Sequence, residues 1–416
     1  MSRAIVWFRN DLRTADNEAL YRAAREHDEV LPLYLMREVD EGITALGMPR
    51  MGPFRSAFRK QAMLDLDEAL CARGSCLRVE KGDPVEVLLR LIDEWQVEAV
   101  HVEQAFAWEE QEEERVLSER IEVIRTAPST LLHPDDLPFS LDRTPEVFTS
   151  FRHKVEKDMQ VREPLEAPIA LRTSASWRDL NALEVIVAPR SDPRAVMEFH
   201  GSRQAGLQRV QHYIWENRAI AHYKATRNDL LGADFSSKFS PWLACGALSA
   251  REVYREVERY EEQYGADEHS YWLVFELLWR DHFHFTAARL GPAFFGKEFA
   301  GISLQSDALK RWMEGRTGQP FVDANMRELS CTGWMSNRGR QNVASYLVHE
   351  LGVDHRLGAW WFEHLLIDHD PCSNWGNWRY IARQGRGGRG DRPFDVAWQQ
   401  QRYDPEGKYV AHWAAH

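Results

Sequence analysis

Over the first 130 residues, short apolar runs take turns with longer amphipathic stretches. AIVWF, VLPLYLM, CLRVE, AVHVE and IEVIRT each have the length of one buried strand, and DNEALYRAAREH, PFRSAFRKQAMLDLDEAL, DPVEVLLRLIDEWQ and EEQEEERVLSERI space their apolar residues as helices do. Strands that alternate with helices predict βαβ units, hence a parallel, doubly wound α/β domain over 1–130. Asp16 ahead of NEAL and Asp83 ahead of Pro84 read as helix caps. The pattern then breaks. Prolines in LLHPDDLPFS, REPLEAPIA and VAPRSDPRAV mark an interdomain connector over 131–200. From 201 to 416, AGLQRVQHYIWENRAI, LSAREVYREVERYEEQY, YWLVFELLWRDHFHF and NVASYLVHEL carry helical periodicity, so this part reads as an all-helical domain.

A chain of 416 residues can bury a large core, and no apolar run approaches the roughly 20 residues of a membrane helix. The opening MSRAIVWFRNDLR lacks the greasy core of a secretory signal, which predicts a cytoplasmic protein. Five cysteines without a C-x-x-C pair argue for reduced thiols and against a structural metal. The formal charge of −12 excludes a surface coated in positive potential for indiscriminate nucleic-acid binding. Its distribution is uneven. The acidic run within 101–130 reads as a solvated helix face, whereas RQGRGGRGDRP, with Arg383, Arg386, Arg389 and Arg392, offers either phosphate contacts or plain solvated surface.

No G-x-G-x-x-G follows the first strand, so the sheet domain need not hold a dinucleotide. The chemistry gathers later. In YKATRNDLLGADFSSKFSPWLACGALS, the hydroxyls of Ser236, Ser237 and Ser240, the charge of Lys238 and the free amides at a helix start suit a diphosphate, with a serine-rich cap as the plain alternative. YWLVFELLWRDHFHF sets Glu276, Trp279, Arg280 and Phe283 on one helical side, either a core stripe with an ion pair or the wall of a cavity. Asp368 and Asp370 in LLIDHDPCSNWGNWRY need cations, and Arg340 in SNRGRQ is the natural partner for Asp368. No metal is expected there, because an arginine competes for the charge; His282, His284, His364 and His369 read as satisfied core histidines.

IVWFRNDLRTADNEAL, KFSPWLACGALS, YWLVFELLWRD, GRTGQPFVDANMREL, TGWMSNRGRQNVASYL, LLIDHDPCSNWGNWRY and YDPEGKYVAHW, in this order, resemble the photolyase/cryptochrome family, and among its branches the DASH type. The resemblance covers nearly the whole chain. It implies a two-domain flavoprotein, whose α/β part often holds a folate antenna (methenyltetrahydrofolate) and whose helical part holds folded FAD. It places Tyr223, Ser236, Ser237, Lys238, Phe239 and Ser240 at the phosphates and ribityl chain, Arg280, Arg340, Asp368, Asp370 and Asn374 around the rest, and Asn337 at the flavin N5. The implied activity is light-driven repair of cyclobutane pyrimidine dimers, with Glu276, Trp279, Asn337 and Trp378 catalytic. Glu276, Trp279, Arg338 and Tyr380 would meet the substrate.

Ser336 stands where (6-4) photolyases carry a histidine acid, which disfavours that chemistry. Tyr380 stands where many duplex-specific photolyases carry a second tryptophan, which implies a preference for dimers in single-stranded DNA. Two departures mark this chain. Of the family's tryptophan relay only Trp378 matches, with His355 and Ile302 at the other positions and Trp360 or Trp361 as packing or a substitute route. The acidic residue expected at the folate falls near Ala105 or Phe106, with Glu103 and Glu109 close by, so folate stays open. The alternative function is a blue-light photoreceptor that uses the same flavin site for signalling.

Overall fold

The computed structural model describes residues 1–44, 46–296, 306–383 and 394–414. Its N-terminal part is built on five parallel strands, β1 (Arg3–Phe8), β2 (Glu29–Arg37), β3 (Arg78–Gly82), β4 (Ala99–Glu103) and β5 (Glu122–Thr126), in the order β3-β2-β1-β4-β5. Residues alternate faces along a strand, and β1 shows why the runs are apolar throughout. Ile5 and Trp7 enter one core with Leu31, Leu33, Val100 and Leu117; Val6 and Phe8 enter the other with Leu20, Phe58 and Leu66. Helices Glu18–Glu26, Pro53–Cys71, Pro84–Trp95 and Trp108–Leu117 cover these faces. Strand order reverses between β2-β1 and β4-β5, which leaves a crevice beyond the ends of β1 and β4.

Asp83 caps its helix by accepting from the amides of Val85 and Glu86. Asp16 does not cap: Asn17 accepts from Leu20 N, and Asp16, at φ 50°, sends its carboxylate to Arg251 of the helical part, 2.8 Å away in a buried ion pair. Sequence spacing could not separate two adjacent acceptors; the buried arginine decides between them.

The connector is more ordered than its prolines suggest. It forms the helix Phe148–Val155 and returns across the sheet, where Val30 N donates to Arg172 O, Val79 N to Asp179 O and the indole of buried Trp177 to Pro32 O at 2.7 Å. The remainder is helical, led by the 23-residue helix Glu268–Leu290, which starts in a capping box of Asp267 and Ser270 and packs on Pro371–Arg383. Asp281 on that helix accepts the amides of Leu131 and Leu132, tying the connector to it. Gly246, at φ 78°, meets the β1 loop so closely that a Cβ there would lie 1.9 Å from Asn10 O. The two parts are thus pressed together through backbone.

Candidate functional site

The Glu268–Leu290 helix carries Glu276, Leu277 and Arg280 on one wall of a cavity. Tyr223 and the loop from Ser236 to Ser240 close a second side, and Trp334, Asn337, Arg340, Asp368 and Asp370 a third. A neighbouring lobe shares Asn337, Arg340, Asp368, Asp370 and Ser373 and runs on to Asn374 and Trp378. The space is therefore bent about these five residues. Gly358 admits Trp378, because a Cβ there would lie 2.1 Å from its ring.

Polar groups at the bend are held in order. Asp368 accepts from Arg340 Nη2 at 2.8 Å, the partner its charge called for, and from Ser240 Oγ at 2.6 Å; its other oxygen, Oδ1, is buried with no hydrogen-bond partner among the described residues. Asp370 lies 3.0 Å from His284 Nε2 and accepts from Ser373 N at 2.5 Å. Burial raises its carboxyl, but His284 and Arg280 outweigh burial and hold it well below the usual carboxylate range. Arg280 also donates to Ser129 O. Glu276 pairs with Arg227, and its carboxyl is pushed up by burial against the pull of that guanidinium. Arg227 and His284 are the partners the sequence reading missed. The signal was a carboxylate placed on an apolar helix, which needs a cation, with Arg227 four residues past Tyr223.

Three residues differ from expectation. Lys238 lines the cavity, but its Nζ turns back to Ala233 O at 2.8 Å over the ring of Phe235; burial, with help from Arg209, lowers it to about 6, so it does not offer a fixed positive charge. Trp279 lies flat on Phe148, 3.8 Å between centroids, with the exposed Tyr380 edge-on at 6.1 Å; one face of the expected stacking platform is covered. Arg338 is occupied by Asn228 Oδ1 at 2.9 Å and by the ring of Tyr403. The histidines read as core are indeed partnered: His282 by Pro145 O, His364 by Pro49 O and His369 by Arg55.

Residues 272–416 match the family described as the FAD binding domain of DNA photolyase, and residues 4–169 match DNA photolyase. A protein named Cryptochrome DASH from Gloeobacter violaceus is 43% identical over 423 residues, covering 98% of this chain and 85% of that one. The chain belongs to the photolyase/cryptochrome family. The crystal structure of the Synechocystis sp. PCC6803 cryptochrome superposes with a TM-score of 0.91 at 41% identity, over 99% of this chain and 88% of that one. An archaeal photolyase from Sulfolobus tokodaii, solved with two FAD molecules, gives 0.78 at 30% identity, over 99% and 90%. The cofactor of this photolyase/cryptochrome member is FAD. The residues present fit it: the bent space suits a folded dinucleotide, and the unsatisfied Asp368 Oδ1 is an acceptor awaiting a donor.

Trp378 is buried, edge-on to Phe362 at 5.0 Å and to Trp312 at 6.3 Å; His355 lies beside Asp354, and Ile302 is outside the described residues, as is the Arg/Gly loop over 384–393. A second cavity lies in the crevice beyond β1, lined by Trp7, Arg37, Arg50, Glu109, Trp360 and Glu363 among others. Glu109 accepts there from Arg37 and Arg50, each at 2.9 Å, whereas Glu103 turns toward Ser129 and Arg13 outside this cavity. Among the described residues no helix is long and apolar enough to cross a membrane.

Proposed function

We propose that this protein is a DASH-type deoxyribodipyrimidine photolyase, which repairs cyclobutane pyrimidine dimers in single-stranded DNA under blue light. The observation that carries the reading is the Glu276–Arg227 pair on the wall of the flavin cavity, one helical turn from the Trp279–Tyr380 aromatic pair. FAD, when bound and reduced, supplies an electron to the dimer on excitation and takes it back after ring opening, so there is no net redox change.

Around it, the Asp368–Arg340 pair and Ser240 form the polar bend, Asp370 with Arg280 and His284 a second anchor, and Ser236 and Ser237 supply hydroxyls for the diphosphate. Asn337, exposed toward both lobes, takes the flavin N5 position, since an amide donates or accepts as the redox state requires. Asn374 has its Nδ2 on Ala359 O at 3.0 Å, which fixes the amide and leaves its carbonyl and second N–H to offer.

Glu276 faces the extruded dimer. Its raised carboxyl can donate to a thymine carbonyl in the protonated form and thereby favour the extra electron on the base. Extruding a dimer from a duplex costs a few kcal/mol, and stacking on an aromatic recovers roughly 1–3 kcal/mol per base. With Trp279 half covered by Phe148 and a tyrosine in place of a second indole, the recovery is small, so repair concentrates on strands where extrusion is nearly free. Glu109 between its two arginines, in the cavity beyond β1, is the acidic residue available to a folate antenna.

The test is light-dependent repair of one defined dimer in single-stranded and duplex oligonucleotides, with the flavin chemically reduced beforehand. Repair confined to the single strand supports the proposal. Equal repair of the duplex removes the role given to Tyr380, and no repair by FAD-loaded protein leaves the photoreceptor reading.

A further inference from the structure

Away from both cavities, the helix Glu18–Glu26 ends against the middle of β4. His27 follows its last turn, and His101, paired with Val6 on β1 and Ile124 on β5, points up from the sheet and is fully buried. The two Nε2 atoms lie 3.1 Å apart, with the rings nearly perpendicular at 85°. Glu26 Oε2 is 3.9 Å from His101 Nε2, and the three ligand atoms all fall within 4.8 Å of one another.

A tetrahedron built on metal–ligand bonds of about 2.0–2.1 Å has edges of about 3.3–3.4 Å. The His–His separation is already close to one edge, and rotation of the half-exposed Glu26 side chain closes the others. We propose that Glu26, His27 and His101 form a binding site for a divalent transition ion of the Zn²⁺ class, with water in the fourth position, which staples the first helix to β4. Two nitrogens and one carboxylate suit Zn²⁺ or Co²⁺ better than Mg²⁺ or Ca²⁺, which prefer all-oxygen shells.

The surroundings favour it. The carbonyl end of a nine-residue helix is the negative pole of its dipole, so a cation is welcome there. Arg22 opposes the ion, but it is held by the other oxygen of Glu26 at 3.0 Å, which leaves Oε2 free to bind. The sequence reading expected no metal and did not single out this pair, whose two histidines lie 74 residues apart.

The test uses tag-free, FAD-loaded, full-length protein, titrated with Co²⁺ and then with competing Zn²⁺. Expected are d–d bands beyond the flavin absorption that saturate at one ion per chain, vanish on Zn²⁺ addition, weaken at least tenfold in His27→Gln and weaken several-fold in Glu26→Gln. Zn²⁺ should raise the melting temperature of the wild type and not that of His27→Gln, whose half-exposed position spares the fold. No stoichiometric binding, binding unchanged in His27→Gln, or a thiolate-to-metal band that moves the ion to the exposed Cys71 would each overturn the proposal.

Discussion

Single side chains decide the chemistry here, and two carboxylates give opposite expectations. Asp368 pairs with Arg340 at 2.8 Å, so Asp368→Asn leaves that guanidinium unbalanced and removes the acceptor at the bend. The flavin-to-protein absorbance ratio after gel filtration should fall at least tenfold in affinity terms. Glu328 is fully buried, accepts from Tyr409 OH at 2.6 Å and has its carboxyl pushed up to about 8, chiefly by burial, against the pull of Tyr409, Lys238 and Arg340. Its folded pKa exceeds the ordinary 4.5, so the folded state binds the extra proton. The stability this group contributes is whole below about pH 4.5 and is lost as pH rises toward 8. Glu328→Gln, which keeps an acceptor for Tyr409, should melt like the wild type at pH 5 and several degrees above it at pH 8.5. Glu276 has the same sign: if its protonated form assists repair, the rate declines as pH rises through its elevated pKa, and Glu276→Gln flattens that limb at a lower overall rate. Asp368 and its arginine were readable from charge complementarity alone. Glu328 was not, because only the fold shows that this residue of a helical repeat is walled off from water.

Elements were the most legible level, because alternating and helical periodicities follow directly from which faces meet a core. AVHVE became β4 residue for residue, and CLRVE shifted only to Arg78–Gly82. What periodicity omits is how closely two elements approach. Gly358 is the case in point. Its missing Cβ lets the helix His355–Leu365 ride against Trp378, so Gly358→Ala should drive that ring into the cavity lobe it lines with Asn337 and Asn374. Expected is a loss of FAD occupancy with far-UV circular dichroism unchanged; full occupancy would mean the helix shifts instead. Trp279 shows the converse limit: helical spacing put it beside Glu276 correctly, yet its stacking on Phe148 comes from a connector segment 131 residues earlier that no local pattern reveals.

At the scale of the molecule, the α/β and helical parts share buried bonds rather than a wet seam. Asp16→Ala would strand Arg251 in the interior, and breaking one partner of such a pair costs roughly 3–5 kcal/mol. Calorimetry should show one transition, lowered in the variant, instead of a separate early melting of either part. The sequence marked a connector and two domains but gave no measure of their adhesion, since composition does not show where a polar loop lands. The hydrogen bonds from Leu131 and Leu132 to Asp281 carry this furthest. Residues that look like linker by composition should exchange their amide protons with deuterium as slowly as the strands do, through global opening alone. The place where the chain would first be cut to separate its halves is then among the last to let solvent in.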